Sequence, residues 1–194
     1  MDAQTSDEAG VIPKCLFSPQ IRLSGLIDDN KFIDFQSQLD NALKSEGQLA
    51  VELTTPGGDA DLARRIGMDI QIASEHSGRE ILFIGKTIVY SAGVTIMASF
   101  PRKRRYLTRD CLLLIHERRM DQSLQLSGPL QVSLQRVKAL EAQLKIGIEV
   151  ERTGFAMLCE GTGVDCDECI ERARTNWYLK SEEALSRRLI LGVL

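Results

Sequence analysis

Two short segments, Ile81 to Gly85 (ILFIG) and Cys111 to Ile115 (CLLLI), are apolar at nearly every position. A strand with one wet face alternates, so the unbroken run ILFIG reads as a strand covered on both faces, and CLLLI as another strongly apolar strand. The rest of the chain agrees. Ile21 to Gly25 (IRLSG) alternates and stops at a glycine, and Asp28-Asp29-Asn30 then offers helix-start chemistry ahead of Phe32, Phe35, Leu39 and Leu43 at helical spacing. Gln48 to Thr54 (QLAVELT) reads as a strand ended by Thr55-Pro56-Gly57-Gly58, and Ile66, Ile70 and Ala73 place a second helix after it. Strand, helix, strand, helix, strand is the rhythm of an α/β fold.

Later, Val89 to Val94 carries small residues between a strand and an apolar stretch, which puts Ser91 at the mouth of a helix. Leu130, Leu134, Val137, Leu140, Leu144 and Ile148 recur at steps of four and three, which predicts a long amphipathic helix. Beyond Thr153 the pattern predicts a cysteine-containing helix, a turn at Trp177-Tyr178-Leu179 and a last helix near 181–188. With 194 residues the chain is long enough to bury roughly 70% of its unfolded surface without disulfide staples. The expectation is one domain over residues 20–194 behind a loose tail, residues 1–19.

Charge and composition exclude several classes of function. The chain carries 24 Lys+Arg against 27 Asp+Glu, net −3, which removes an electrostatic case for nucleic acid or an anionic membrane. The basic run Arg102-Lys103-Arg104-Arg105 is read as a solvated turn and edge strand. No apolar run is long enough to span a bilayer, and the acidic start MDAQTSDEAG is unlike a secretory signal, so a cytoplasmic chain with reduced thiols is expected. Cys159, Cys166 and Cys169 include the C-x2-C half of many zinc sites, but the pattern lacks the other half; no metal and no cofactor is assigned.

Ligands in an α/β sheet sit at the carboxyl ends of its strands, where loops meet helix N-termini. Three segments end there: Thr54 to Gly58, the Ser91 turn, and His116 closing the CLLLI strand. Two adjacent glycines present backbone N–H groups without side chains in the way, as an oxyanion hole requires. A serine flanked by Ala92 and Gly93 exposes its hydroxyl, and a histidine is the usual base that makes serine nucleophilic. Each residue has a plainer role: Ser91 as a helix cap, His116 as a satisfied core imidazole, Gly57-Gly58 as a turn, His76 as a surface cap. Taken together they make an acyl-transfer site.

Their order and spacing resemble the proteolytic subunit of the Clp protease. The likeness runs from Ile21-Arg22-Leu23-Ser24-Gly25-Leu26-Ile27-Asp28 through Thr55-Pro56-Gly57-Gly58, Ser91-Ala92-Gly93 and Leu114-Ile115-His116 to Ser181-Glu182-Glu183-Ala184 with Gly192. It covers about residues 20 to 194, and the Ser91 to His116 separation is the one that family shows. The resemblance implies a β-β-α superhelix of the Clp/crotonase kind with a protruding handle helix, Leu130 to Ile148. It implies a serine endopeptidase cutting peptides or unfolded proteins, with Ser91 as nucleophile, His116 as base, and the N–H groups of Gly58 and Ala92 as oxyanion hole. It also implies a homo-oligomeric ring, heptameric or stacked, with an AAA+ unfoldase as partner, although the N-terminus has no recognisable axial loop.

Two departures from that family bear on the chemistry. Counting back from Ser181-Glu182-Glu183-Ala184 to the family's orienting Asp lands on Arg172 or Ala173, with Asp165, Asp167, Glu171 and Asn176 nearby. After His116, Glu117-Arg118-Arg119-Met120 replaces a glycine-rich strand that pairs with substrate. The first departure motivates a second reading, a ring subunit with weak or no catalysis and a structural or regulatory role. A crotonase-like enzyme acting on acyl-CoA, and a Ser–Lys peptidase using Lys86 or Lys103, are further alternatives.

Overall fold

The computed structural model describes residues 11–194. In chain order the elements are β1 (Ile21–Ser24), α1 (Asp29–Ala42), β2 (Leu49–Thr55), α2 (Ala60–Ser77), β3 (Ile81–Tyr90), α3 (Ala92–Ala98), β4 (Arg105–Leu107) and β5 (Leu112–Ile115). They continue with α4 (Leu130–Cys159), α5 (Cys166–Ala173), β6 (Trp177–Lys180), α6 (Ser181–Ser186) and β7 (Gly192–Val193). Strands β1, β2, β3, β4 and β7 lie in that order, all parallel; β5 joins the far end of β3, and β6 pairs antiparallel with β5. The fold is α/β with a mostly parallel seven-strand sheet.

The alternation of each strand divides the core. Leu49, Val51 and Leu53 of β2 and Ile81 and Phe83 of β3 pack with Phe32, Phe35 and Leu39 of α1 and Ile66 and Ile70 of α2. Each such side chain removed from water contributes about 2 kcal/mol. Ala50, Leu82 and Ile84, on the opposite face, pack with Leu16 and Tyr106. Central strands are therefore apolar on both sides, as the ILFIG run requires. Asp28 caps α1 by accepting from the Lys31 N–H at 2.8 Å, and Asp59 caps α2 through the N–H groups of Asp61 and Leu62. Of the segment 1–19 expected to be a tail, residues 1–10 lie outside the described residues. Lys14–Phe17 form a 3-10 turn that buries Leu16 against the sheet.

Strand β3 positions the site. Its first half pairs with β4 and its last three residues with β5, and between them the register on β2 slips from Leu53↔Gly85 to Thr55↔Val89. Lys86 and Thr87, just past the Gly85 at which the apolar run ends, form a bulge, with Thr87 at φ 58°. The strand continues to Tyr90 and delivers Ser91 at its tip.

Other expectations are corrected. Trp177-Tyr178-Leu179 is strand β6, not a turn: an isolated alternating tetrapeptide has no pattern of its own, and its pairing with β5 makes it extended. Helix α4 runs through Cys159, so the next cysteine helix begins at Cys166. Of the basic run, Arg102–Arg104 form a 3-10 turn with Lys103 exposed, but Arg105 opens β4, which lies between β3 and β7 and not at an edge, and is only 1% exposed. The Arg105 guanidinium donates to five backbone carbonyls: Phe100 at 2.7 Å, Leu158 at 2.7 Å, Met157 at 3.0 Å, Ala98 at 3.2 Å and Leu189 at 3.4 Å. Four of these acceptors lie at or just beyond the ends of α3 and α4, where a positive charge also meets the negative ends of helix dipoles, and the fifth, Leu189, precedes β7. Burial lowers the Arg105 pKa to about 10.

At about 45 Å, α4 is longer than the body of the sheet needs. Its buried residues, Phe155, Leu158 and Cys159, are all at its end, while Leu130, Leu134, Val137, Leu144 and Ile148 are exposed. Among the described residues no helix is long and apolar enough to cross a membrane.

Candidate active site

Ser91, His116, Gly58 and Ala92 line one cleft of about 940 Å3, between α2, α3, the end of β5 and the second half of α4. Ser91 sits where β3 turns sharply into α3, with φ 54° and ψ −113°, a backbone conformation that side-chain-bearing residues rarely adopt. Three hydrogen bonds hold it there. Its N–H donates to the Leu114 carbonyl at 2.9 Å, and its carbonyl accepts from the N–H groups of Val94 at 2.9 Å and Thr95 at 3.3 Å. The hydroxyl makes no capping bond to α3, so the cap reading of Ser91 does not hold. A strained strand-to-helix elbow that projects a free hydroxyl is the geometry of an exposed nucleophile.

The Thr55 to Gly58 loop passes directly beside it. Gly57 has φ 112°, and a Cβ there would stand 3.0 Å from the Ser91 Cβ. Gly58, at φ 142°, lies against Ile27: the Ile27 N–H donates to the Gly57 carbonyl at 2.9 Å, and the Asp59 N–H to the Ile27 carbonyl at 2.8 Å. A Cβ on Gly58 would overlap the Ile27 backbone. Because successive peptide groups of an extended segment point opposite ways, that pairing turns the Gly58 N–H away from Ile27. Ala92 opens α3, so its N–H has no partner within the helix.

His116 follows β5, half-buried, with Nδ1 2.6 Å from the Glu117 carbonyl oxygen. A carbonyl only accepts, so Nδ1 carries the proton and Nε2 is left as the basic nitrogen in the neutral ring. A backbone oxygen thus fixes the tautomer that a carboxylate fixes in a Ser-His-Asp triad.

Neither Arg172 nor Ala173, where the count along the sequence lands, provides an orienting side chain. Both are on α5. The Arg172 guanidinium stacks 5.0 Å over the Trp177 ring and bonds Glu168 at 2.8 Å, while Ala173 is buried and gives only its carbonyl, to the Glu117 N–H at 3.4 Å. The β5–β6 register ends at Ile115↔Trp177, and Asn176, just before β6, has φ 62° and accepts from Arg119 at 3.5 Å. The other nearby candidates are engaged elsewhere: Asp165 caps α5, and Glu171 pairs with Arg174 at 2.6 Å.

Lys86 bonds Glu52 at 2.6 Å, and neither it nor Lys103 lines the cleft, which weighs against a Ser–Lys pair. His76 is exposed near the end of α2.

The segment after His116 is fastened across the cleft. Arg118 holds Asp61 at the start of α2 through two bonds, of 3.0 Å and 2.6 Å, and its N–H donates to the Glu151 carboxylate on α4. The Arg118 hydrogen bond keeps the Asp61 carboxyl below its usual range. Such a pair, partly exposed, contributes at most about 1 kcal/mol. Asp61→Asn is therefore expected to speed hydrogen exchange at residues 117–121 by roughly two- to fivefold, the range that up to about 1 kcal/mol allows. Unchanged exchange would mean that the Arg118–Asp61 contact does not hold the segment.

The chain matches no protein-family model, and no curated protein matches it in sequence.

Proposed function

We propose that this chain is a serine endopeptidase of the Clp type, with a β-β-α superhelix, acting on peptides or unfolded proteins. The observation that carries the reading is a strained elbow serine with an uncapped hydroxyl, in one cleft with a histidine whose Nδ1 proton is already committed. Nε2 of His116 takes the Ser91 hydroxyl proton as Oγ forms a bond to the scissile carbonyl carbon. The electron pair displaced onto the carbonyl oxygen is stabilised by the N–H groups of Gly58 and Ala92. Collapse breaks the C–N bond, the imidazolium gives its proton to the leaving amine, and water releases the acyl group by the same route. The exposed apolar stripe on α4 supports assembly with further copies into a ring, whose enclosed chamber would admit unfolded chains.

The test is hydrolysis of unstructured peptides, with products mapped by mass spectrometry. New peptide termini that are absent with Ser91→Ala protein support the reading; intact peptides across conditions support the second one. That second reading, a ring subunit with weak or no catalysis, rests on the lack of an orienting carboxylate: His116 Nδ1 bonds a backbone carbonyl, and Asn176, just before β6, is an amide. Loss of such a carboxylate lowers turnover by about four orders of magnitude in a serine protease. Asn176→Asp is accordingly expected to raise kcat by roughly tenfold or more, with little change in KM. No gain would mean that the Glu117 carbonyl already orients His116 or that residue 176 does not reach it.

A further inference from the structure

Away from the Ser91 cleft, the end of α4 and the start of α5 bring three thiols together. Cys159 is the last residue of α4 and Cys166 the first of α5, with Cys169 one turn further on. The turn between the helices is fixed at both ends. Thr162 Oγ1 donates to the Cys159 carbonyl at 2.7 Å and accepts from the Val164 N–H at 3.1 Å, and the Asp165 carboxylate caps α5 through the N–H groups of Asp167 and Glu168. This brings the Cys159 sulfur within hydrogen-bonding reach of both Cys166 and Cys169. Cys169 is fully buried, whereas Cys159 and Cys166 both line a second, shallow cleft of about 520 Å3.

The three sulfurs are chemically unequal. The hydrogen bond from Cys169, aided by the buried Arg105 charge, holds the Cys159 thiol below the usual range. Cys166 is pushed up by burial, and Cys169 is pushed up by the hydrogen bond it gives to Cys159. A thiol eased toward ionisation beside a buried cation, with a second thiol lining the same shallow cleft, is the arrangement of a reactive cysteine and its resolving partner. Among the described residues no group of His, Cys, Asp or Glu is arranged to hold a metal ion.

We propose that Cys159 and Cys166 are a peroxide-responsive dithiol that closes into a disulfide. The Cys159 thiolate attacks a hydroperoxide; an S–O bond forms, the O–O bond breaks, and hydroxide leaves. The Cys166 sulfur then attacks the sulfenic acid; the S–S bond forms, the S–O bond breaks, and water leaves with the Cys166 proton. The two thiols supply the two electrons that reduce the peroxide to water. The bond ties α4, whose Val150, Gly154 and Leu158 wall the Ser91 cleft, to α5, whose Ala173 carbonyl holds the Glu117 N–H beside His116. Oxidation would thereby act on the walls of that cleft, while the thiol chemistry itself does not depend on the peptidase reading.

The test exposes the full-length protein to hydrogen peroxide, alkylates the remaining thiols under denaturing conditions and maps the peptides with and without reductant. Cys159 and Cys166 are expected to be lost together as one linked pair. Cys111, buried, with its thiol pushed up to about 12 by burial, is expected to stay fully alkylatable. In Cys166→Ser protein, Cys159 is expected to persist as a sulfenic acid that dimedone captures. Cys159 left alkylatable while other thiols oxidise would overturn the proposal. So would a Cys166–Cys169 bond forming equally well in Cys159→Ser protein. The wild-type map needs no substitution, so it decides the matter even if a variant does not fold.

Discussion

Replacing Ser91 by alanine is expected to lower peptide hydrolysis by about four orders of magnitude or more, because nothing else in the cleft forms the acyl intermediate. The same position separates stability from activity. Its φ of 54° is strain that glycine does not feel, and such strain typically stores about 1–3 kcal/mol. Ser91→Gly should therefore be as inactive as the alanine variant yet withstand denaturant better, by about 1 kcal/mol once glycine's unfolded-state entropy is set against it. Denaturant midpoints for the three proteins, measured beside their hydrolysis rates, check both halves. A glycine variant that is less stable than wild type would show that the elbow is not strained.

Arg105→Met is expected to destabilise the fold by about 3–5 kcal/mol, the range for removing one member of a buried, hydrogen-bonded charge network. The size follows from what is left behind. Five carbonyls at the ends of α3 and α4 and before β7 lose their donors together, in a site with 1% exposure of the arginine. A depressed pKa means that burial disfavours the charge, so the gain comes from matched hydrogen bonds and packing and not from charge itself. Arg105→Lys should for that reason recover little: one ammonium has three donors on a flexible stem and cannot serve five acceptors held by separate segments. Chemical denaturation decides this, and a loss below about 1 kcal/mol for the methionine variant would contradict the clamp role given the usual penalty for orphaned buried acceptors.

Much of the architecture was legible because it is local. The double-faced strand ILFIG, the apolar strand CLLLI, the capping Asp28, and the helical spacing of Phe32, Phe35 and Leu39 each encode their own element within a few residues. The candidate site was legible as a set of strand ends: Gly58, Ser91, Ala92 and His116 do line one cleft. What escaped depends on partners distant in sequence. Trp177 to Lys180 is a strand only because β5, far earlier in the chain, pairs with it. Arg105 reads as a surface residue in a basic run because its partners are backbone carbonyls, which have no sequence signature. The Arg118–Asp61 clasp and the meeting of three cysteines likewise arise from helices packing side by side. Lys86 and Thr87 lie just past the apolar run, and only the register on both sides shows a bulge.

The measurement that bears most directly on the central claim is reaction of the folded protein with a fluorophosphonate probe, followed by mapping of the adduct by mass spectrometry. Such a probe needs an activated serine beside a working oxyanion hole and no knowledge of the natural substrate. A single adduct on Ser91 is expected, lost in Ser91→Ala and strongly slowed in His116→Ala. An unmodified Ser91, or labelling that persists without His116, would overturn the roles given to these two residues.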